Sequence, residues 1–181
     1  MQIQHADPTR DAAACLEIYA PFILHGAVSF EERAPSVTQF AQRIARVSRR
    51  HPWLVARERD LLAGFAYASP HRERAAYRWS CETSVYVHPA WRRRGVGRAL
   101  YEALLQLLSR QGMAMALAGV TLPNPASVAL HESMGFERVG VYRRIGFKAG
   151  AWHDVGWWQR PLADLGDAEP PEPGPPARLE G

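Results

Sequence analysis

Apolar residues recur along the chain at two spacings, and the change from one to the other predicts the order of the elements. After a short first strand around Ile3, apolar residues from Leu16 to Ile23 recur every three or four positions, which is typical of a helix with one buried face. A second helix is predicted after Ser36, because Gln39 three positions later completes a capping box. Segments of strand composition lie at residues 53–57, 61–69, 83–87, 113–122, 137–144 and 152–160.

Two further helices are bounded by residues that commonly begin or end a helix. A long helix starts near Gly97 and ends at Gly112, and a short one runs from Asn124 and Pro125 to Gly135. Strands and helices alternate without an internal repeat. The predicted fold class is therefore α/β (α+β), with a mixed central sheet of about six to seven strands flanked by helices.

The end of the chain differs in composition from the rest. Residues 164–181 hold five acidic residues and one arginine, and their many prolines leave no apolar face to bury. We therefore expect one domain, residues 1–163, followed by a disordered Pro-rich acidic tail. Without the tail, 21 basic and 13 acidic side chains remain, so the domain itself is basic.

A basic glycine turn connects the strand at 83–87 to the long helix. Its sequence is Arg92-Arg93-Arg94-Gly95-Val96-Gly97-Arg98. Glycines at a helix start let a ligand approach the backbone, where free N–H groups, the helix dipole and arginines favour phosphate oxygens. The turn lacks the Gly-Lys-Ser/Thr of a nucleoside-triphosphate loop, and Leu100 replaces the third glycine of a dinucleotide fold. A phosphate site of another kind is predicted.

Composition argues against several other classes of protein. No apolar run approaches the length of a membrane span, and the first residues, MQIQHADPTR, lack the apolar core of a signal peptide, so we expect a cytoplasmic protein with no membrane contact. Cys15 and Cys81 fall in no metal-ligand spacing, so no metal is expected. A basic surface also suits nucleic acid. However, the arginines gather at one glycine turn instead of accompanying an aromatic stacking platform, which disfavours an RNA-binding module.

The order of the motifs resembles a known enzyme family. Phe30 with Glu31, the segments RERAAYRW and CETSVYV, the glycine turn, LPNPASVALHESMGF and GFKAGAWHDVGWWQ are similar in order and spacing to the phosphinothricin acetyltransferase branch of the GNAT superfamily. The resemblance covers residues 12–162 and leaves the tail outside. Ala20 and the turn Glu58-Arg59-Asp60 depart from the family pattern, which usually has asparagine and an acid-glycine turn at these places.

This resemblance implies a GNAT fold and an N-acetyltransferase that pairs as a homodimer. The co-substrate implied is acetyl-CoA. The acceptor implied is the α-amino group of a small amino-acid-like molecule such as phosphinothricin, methionine sulfone or methionine sulfoximine. The residues expected to bind acetyl-CoA are Val85, Tyr86, Val87, Arg92, Arg93, Arg94, Gly95, Val96, Gly97, Arg98, Ala99, Asn124 and Ser127.

The acceptor is expected to contact Phe30, Arg72, Arg74, Tyr77 and Glu82. Two guanidinium groups and a phenol directly ahead of Glu82 suit a substrate with two anionic or strongly polar ends. In the resembling family, Arg72, Arg74 and Tyr77 match the positions that hold the oxyanionic group, and Phe30 packs beside the acceptor. A solvated basic loop is the alternative interpretation.

Glu82 and His131 are the candidate catalytic residues. An amine attacks a thioester only when neutral, so a base must remove a proton. Strand alternation places Glu82 on one face with Ser84, and the matching glutamate is the usual base in the resembling family; pairing with a nearby arginine is the alternative. His131 shares a helix face with Asn124 and Ser127. It can relay the amine proton or protonate the departing CoA thiolate, and the sequence leaves a structural histidine equally open.

Two other features suggest rival chemistry. Cys81 allows a covalent acetyl-cysteine, but alternation puts it opposite Glu82 with no neighbouring histidine, so a buried structural cysteine and direct transfer in a ternary complex are expected. The pair His153-Asp154 lacks the serine elbow of a triad and is expected to hold the last hairpin.

The aromatic residues of that hairpin predict a surface that pairs two chains; the alternative is that they cover the chain's own sheet. They are Phe147, Trp152, Trp157 and Trp158. The second candidate activity is acetylation of another amine, on an antibiotic or a protein. A basic nucleic-acid-binding module is the third candidate.

Overall fold

A computed structural model of the chain describes residues 1–164 and 166–179. The α-helices in these residues are α1 (Pro8–Leu24), α2 (Val37–Ser48), α3 (Val96–Gln111) and α4 (Pro125–Ser133). The strands are β1 (Gln2–His5), β2 (Trp53–Glu58), β3 (Leu61–Pro70), β4 (Ser80–Val87), β5 (Met115–Leu122), β6 (Glu137–Lys148) and β7 (Ala151–Pro161). The described strands form a sheet in the order β1-β2-β3-β4-β5-β7-β6, in which β4 and β5 are parallel and the other neighbours antiparallel.

The predicted α/β class with a mixed sheet is confirmed, and the predicted helices and strands are present with shifted ends. The last two strands are longer than predicted, because a two-residue turn joins them directly. Ala149 and Gly150 both have positive φ, 51° and 78°, which is the backbone conformation of a tight hairpin turn. The segment 29–32 is a loop.

Capping side chains explain why the helices begin and end where they do. Both bonds of the capping box between Ser36 and Gln39 are present at the start of α2. Asn124 accepts from the backbone N–H of Ser127 and begins α4. Gly112 ends α3 in the left-handed conformation, with φ of 87°.

The core lies on both faces of the sheet. Alternation along β2 sends Leu54 to one face and Trp53 to the other. The face of Leu54 packs under α3, where Leu104 and its neighbours are buried. The face of Trp53 packs under α1 and α2, where Phe40 is buried. The sheet is therefore covered on both sides and holds β4 in the middle of the fold.

The described residues after Pro161 contain no helix or strand, but several of them contact the domain. The indole N–H of Trp79 donates to the carbonyl of Pro171 at 2.8 Å. Arg78 Nε lies 2.7 Å from a carboxylate oxygen of Glu172. A domain boundary after residue 163 stays a prediction. The disorder of the acidic tail likewise stays a prediction.

Candidate active site

A gap in the middle of the sheet is the centre of the site. The β4–β5 ladder runs from Ser80 to Glu82 on one strand and ends there, although both strands continue. A cavity of about 60 Å³ lies where they diverge. Its lining consists of residues 83–86 and 119–121 with Val28, Tyr101, Asn124, Ser127 and His131. The structure thus brings Val85, Tyr86, Asn124 and Ser127, which were assigned to acetyl-CoA, next to His131.

The start of α3 presents unpaired backbone donors. Gly95 is the N-cap residue in the left-handed conformation, with φ of 80°, and no described side chain caps this end. The first helical backbone bond runs from Ala99 N to the Gly95 carbonyl, so the N–H groups of Val96, Gly97 and Arg98 have no helical partner. Such an end favours an anion, as the sequence predicts.

The arginines of the turn differ in their surroundings. Residues 92–94 are exposed. Arg98 instead donates to Ser133 Oγ at 3.0 Å and lies 3.9 Å from Glu102, so it ties α3 to α4. Arg98 is exposed as well, but its contacts hold it against α4 and Glu102, whereas residues 92–94 and the helix N–H groups lie at the open end of the turn. The assignment of all these residues to acetyl-CoA stays a prediction.

Glu82 is hydrogen-bonded to a histidine that the sequence analysis missed. Its Oε1 lies 2.8 Å from Nδ1 of His71. Among the described residues, no arginine pairs with Glu82, so the alternative of an arginine-bound carboxylate is wrong. The contact crosses from β3 to β4 and depends on their register, which the sequence does not specify. The one local signal was a histidine two residues after the end of the predicted strand 61–69.

His131 is buried, and both of its ring nitrogens have partners. Nδ1 lies 2.7 Å from the carbonyl of Ser127, and Nε2 lies 2.8 Å from the hydroxyl of Tyr101. Because a carbonyl only accepts, Nδ1 carries the proton and Nε2 accepts from Tyr101. Burial lowers the pKa of His131 below its usual value, against a smaller opposing effect of the Ser127 carbonyl. The histidine is therefore neutral, and Tyr101 lies beside it in the lining of the cavity.

Tyr101 was not singled out from the sequence because it lies within the leucine stripe of α3 and looks like a core residue. Burial is the main reason why its pKa is raised, so the phenol keeps its proton. Its hydroxyl also lies 3.2 Å from Thr83 Oγ1.

The residues expected to bind the acceptor lie in two places. Arg72, Arg74 and Tyr77 line a cavity of about 640 Å³ whose wall includes Glu172 of the C-terminal segment. The ring of Tyr77 also lies 5.6 Å from that of His71, which brings this loop beside Glu82.

Phe30, the remaining acceptor candidate, belongs to the second of these places. It packs against Gly146 of the last hairpin, and its ring lies 6.3 Å from that of His153.

The rival chemistry at Cys81 has little support. The thiol is fully buried and contacts the carbonyl of Met115 at 3.7 Å. Burial, with a smaller contribution from the charge of Glu82, raises its pKa to about 12. A thiolate at this position is therefore scarce at neutral pH.

The predicted role of His153 and Asp154 in the hairpin is confirmed. His153 Nε2 lies 3.0 Å from the carbonyl of Lys148, and Asp154 accepts from the backbone N–H of Arg144 at 2.7 Å. Within the described ranges, no group of three or more histidine, cysteine or acidic side chains is placed to hold a metal. In the same residues, no helix has the length and apolar character needed to cross a membrane.

Known proteins that are similar to this chain are acetyltransferases. The profile of the family described as acetyltransferase (GNAT) domain matches residues 6–157. The phosphinothricin N-acetyltransferase of Streptomyces viridochromogenes is 39% identical over 168 residues, which cover 93% of this chain and 88% of that protein. The L-methionine sulfoximine/L-methionine sulfone acetyltransferase of Salmonella typhimurium is 35% identical over 163 residues, or 90% of this chain and 95% of that protein.

The fold is similar to that of a solved enzyme with its co-substrate. The crystal structure of a GNAT superfamily phosphinothricin acetyltransferase from Sinorhizobium meliloti in complex with AcCoA has a TM-score of 0.88 and 35% sequence identity to this chain. The match covers 94% of this chain and 93% of that one.

Proposed function

Because this chain belongs to the GNAT acetyltransferase family, we propose that it acetylates the α-amino group of phosphinothricin, methionine sulfone or methionine sulfoximine. It is an acetyl-CoA-dependent N-acetyltransferase. Two relatives are named for these acceptors, and both align with most of the chain.

One observation carries the proposal. Glu82 is the last residue of β4 that pairs with β5, and it directly precedes the residues that line the cavity between these two strands. Its side chain is 36% exposed, so an acceptor can reach the carboxylate. An amino acid arrives mainly as an ammonium ion, and Glu82 removes one proton from it to give the neutral amine.

The start of α3 fits the diphosphate of acetyl-CoA, which supplies the acetyl thioester. The unpaired N–H groups of Val96 and Gly97 donate to phosphate oxygens, and the exposed arginines at 92–94 add positive charge. The lining residues Val85, Tyr86, Asn124 and Ser127 are the proposed contacts of the rest of the co-substrate.

His131 is paired with Tyr101 in this proposal. The imidazole is neutral and accepts from the phenol, so it orients a hydroxyl that faces the cavity. This bond uses the single proton of the phenol, so Tyr101 holds His131 in its neutral form beside the gap and is not a donor to the thioester. His131 itself has no proton to give from Nε2, which argues against direct protonation of the departing thiolate.

The acceptor's polar end is proposed to bind Arg72, Arg74 and Tyr77, with Phe30 beside it. Both arginines are exposed, and a guanidinium suits a phosphinate, sulfone or carboxylate oxygen. A polyamine or an aminoglycoside would be repelled by these cations. We also propose that residues 1–163 contain the whole active site, that the enzyme is cytoplasmic, and that two chains pair through the last hairpin.

An acceptor panel tests the proposed function. Release of the CoA thiol is measured with phosphinothricin, methionine sulfone, methionine sulfoximine, spermidine, kanamycin and a peptide with a free N-terminus. We expect turnover of the first three. Glu82→Gln should lower kcat by about 10²- to 10⁴-fold with an unchanged KM for acetyl-CoA, because a general base is lost while the co-substrate site is intact.

The same change at an exposed glutamate of the outer strand, Glu137→Gln, is the control and should leave kcat unchanged. Efficient turnover of spermidine, kanamycin or the peptide, with none of the sulfone, would refute the proposed acceptor. Full activity of Glu82→Gln would refute the proposed base.

A further inference from the structure

His71 directly follows β3, and this places it diagonally across from Glu82. In the register of β3 and β4, Ser69 lies opposite Glu82 and Pro70 opposite Cys81. The backbone N–H of His71 then donates to the carbonyl of Ser80 at 3.4 Å. Residues two apart in a strand share a face, so the imidazole lies on the face of Ser69 and reaches the carboxylate of Glu82 at 2.8 Å.

Aromatic rings on two other elements restrict the imidazole. Tyr77, in the short turn after β3, meets it edge-on with ring centroids 5.6 Å apart. Trp157 of β7 meets it in the same way at 6.0 Å. The side chain of His71 is only 14% exposed, compared with 36% for Glu82. A ring packed in this way holds its rotamer, and a hydrogen bond partly shielded from water is stronger than one on the surface.

We propose that His71 is a positioning residue for the catalytic base. This inference rests on the proposed function, in which Glu82 removes the proton of the acceptor's ammonium group. The N–H at Nδ1 of the imidazole donates a hydrogen bond to Oε1 of Glu82, which fixes the carboxylate and leaves Oε2 for the acceptor. The transferred proton goes from the amine nitrogen to Oε2, and His71 keeps its own proton throughout.

The imidazole of His71 is a suitable hydrogen-bond partner for a carboxylate that has to accept a proton. A guanidinium in this place would add a permanent positive charge that stabilises the carboxylate against taking up a proton. An imidazole gives a directional hydrogen bond through Nδ1 and, unlike a guanidinium, carries no permanent charge. The contact thus orients Glu82 while leaving it able to accept a proton.

Two matched variants separate the hydrogen bond from the packing. In His71→Phe a ring remains but the donor is lost, and we expect kcat to fall about tenfold with an unchanged KM for acetyl-CoA. In His71→Asn the amide nitrogen replaces Nδ1 at about the same position, and kcat should stay within about threefold of the wild type. In a Glu82→Gln background neither substitution should lower kcat further, because the group on which His71 acts is absent.

Three kinetic outcomes would overturn the proposal. They are full activity of His71→Phe, an equal loss in His71→Asn and His71→Phe, and losses that add to that of Glu82→Gln. Circular dichroism checks that each variant is folded.

A spectroscopic readout keeps the inference testable without turnover. The ¹⁵N NMR signals of His71 in the whole chain at about pH 8 should show the proton on Nδ1, and they should shift in Glu82→Gln. A proton on Nε2, or signals insensitive to Glu82, would refute the hydrogen bond. If no acceptor of the panel is turned over, the proposed function fails while this measurement still decides about His71.

Discussion

Cys81 and Glu82 are neighbours in the chain, yet the sheet gives them different environments. The thiol of Cys81 is buried under α3, whereas the carboxylate of Glu82 is partly exposed beside the gap between β4 and β5. The period of a strand is two residues, so this separation could be predicted from the sequence. Cys81 lies on the face of β4 that packs under α3, so its thiol is buried and has low reactivity.

A test of Cys81 follows from its burial. Cys81→Ala should keep kcat within about twofold of the wild type, because direct transfer needs no thiol and the smaller side chain leaves the face of Glu82 unchanged. Iodoacetamide should not label this thiol in the native enzyme at neutral pH, since its pKa is raised to about 12. Steady-state kinetics and mass spectrometry provide the two readouts. A folded but inactive Cys81→Ala would instead favour an acetyl-cysteine.

The contacts of Glu82 and His131 could not be predicted in the same way. His71 reaches Glu82 through the register of two strands, and Tyr101 reaches His131 from another helix. Neither pair is close in sequence, and neither belongs to a local motif. The sequence therefore predicts candidates for a chemical role, while the side chains that contact those candidates depend on the fold.

At the scale of elements, local chemistry was sufficient to predict most boundaries. The capping box at Ser36, the N-cap at Asn124 and the left-handed Gly112 each begin or end a helix as expected. These motifs determine helix ends because they hydrogen-bond unpaired backbone N–H or carbonyl groups within a few residues. The role of Arg98 could not be predicted, because its contacts are with Ser133 of α4 and with a neighbouring turn of α3.

The start of α3 yields a prediction about acetyl-CoA. Arg93→Glu and Arg94→Glu should each weaken its binding at least about tenfold, since an acid facing the diphosphate repels it where an arginine attracts. Isothermal titration calorimetry at low salt measures the change. Arg46→Glu, on the exposed face of α2, makes the same charge change and should bind as the wild type does. Unchanged affinity in both turn variants would remove this turn from the site.

At the scale of the whole molecule, the C-terminal segment makes contacts with the domain that could not be predicted from its composition. Its prolines and acids cannot form a core, which is why disorder was expected. Arg78 of the domain pairs with the carboxylate of Glu172, and the indole N–H of Trp79 donates to the carbonyl of Pro171. Both residues lie in the chain between the loop that carries Arg72, Arg74 and Tyr77 and the start of β4. The segment therefore forms part of the wall of the cavity that Arg72, Arg74 and Tyr77 line.

The last hairpin is the other feature that concerns the whole molecule. Of its four aromatic residues, Trp158 is buried in the chain's own core, so that part of the predicted patch is wrong. Trp157 is half-buried and packs against Tyr142. Phe147 and Trp152 are 58% and 53% exposed and contact each other, with ring centroids 5.4 Å apart. Phe147 belongs to β6, which is an edge strand of the sheet formed by the described residues, and Trp152 lies opposite it on β7.

Exposed aromatic rings next to a sheet edge favour pairing with a second copy of the chain. Pairing would bury the apolar surface and would shield the unpaired backbone groups of the edge strand. Light scattering at micromolar concentration should give twice the chain mass of 20.2 kDa. A Phe147→Glu, Trp152→Glu double variant should shift the mass to that of one chain, since two buried acids would repel across the interface. Leu61→Glu, at a residue 65% exposed on the β2–β3 hairpin, is the control and should leave the wild-type mass unchanged. If the wild type itself scatters as one chain, the exposed rings have another role and the homodimer is refuted.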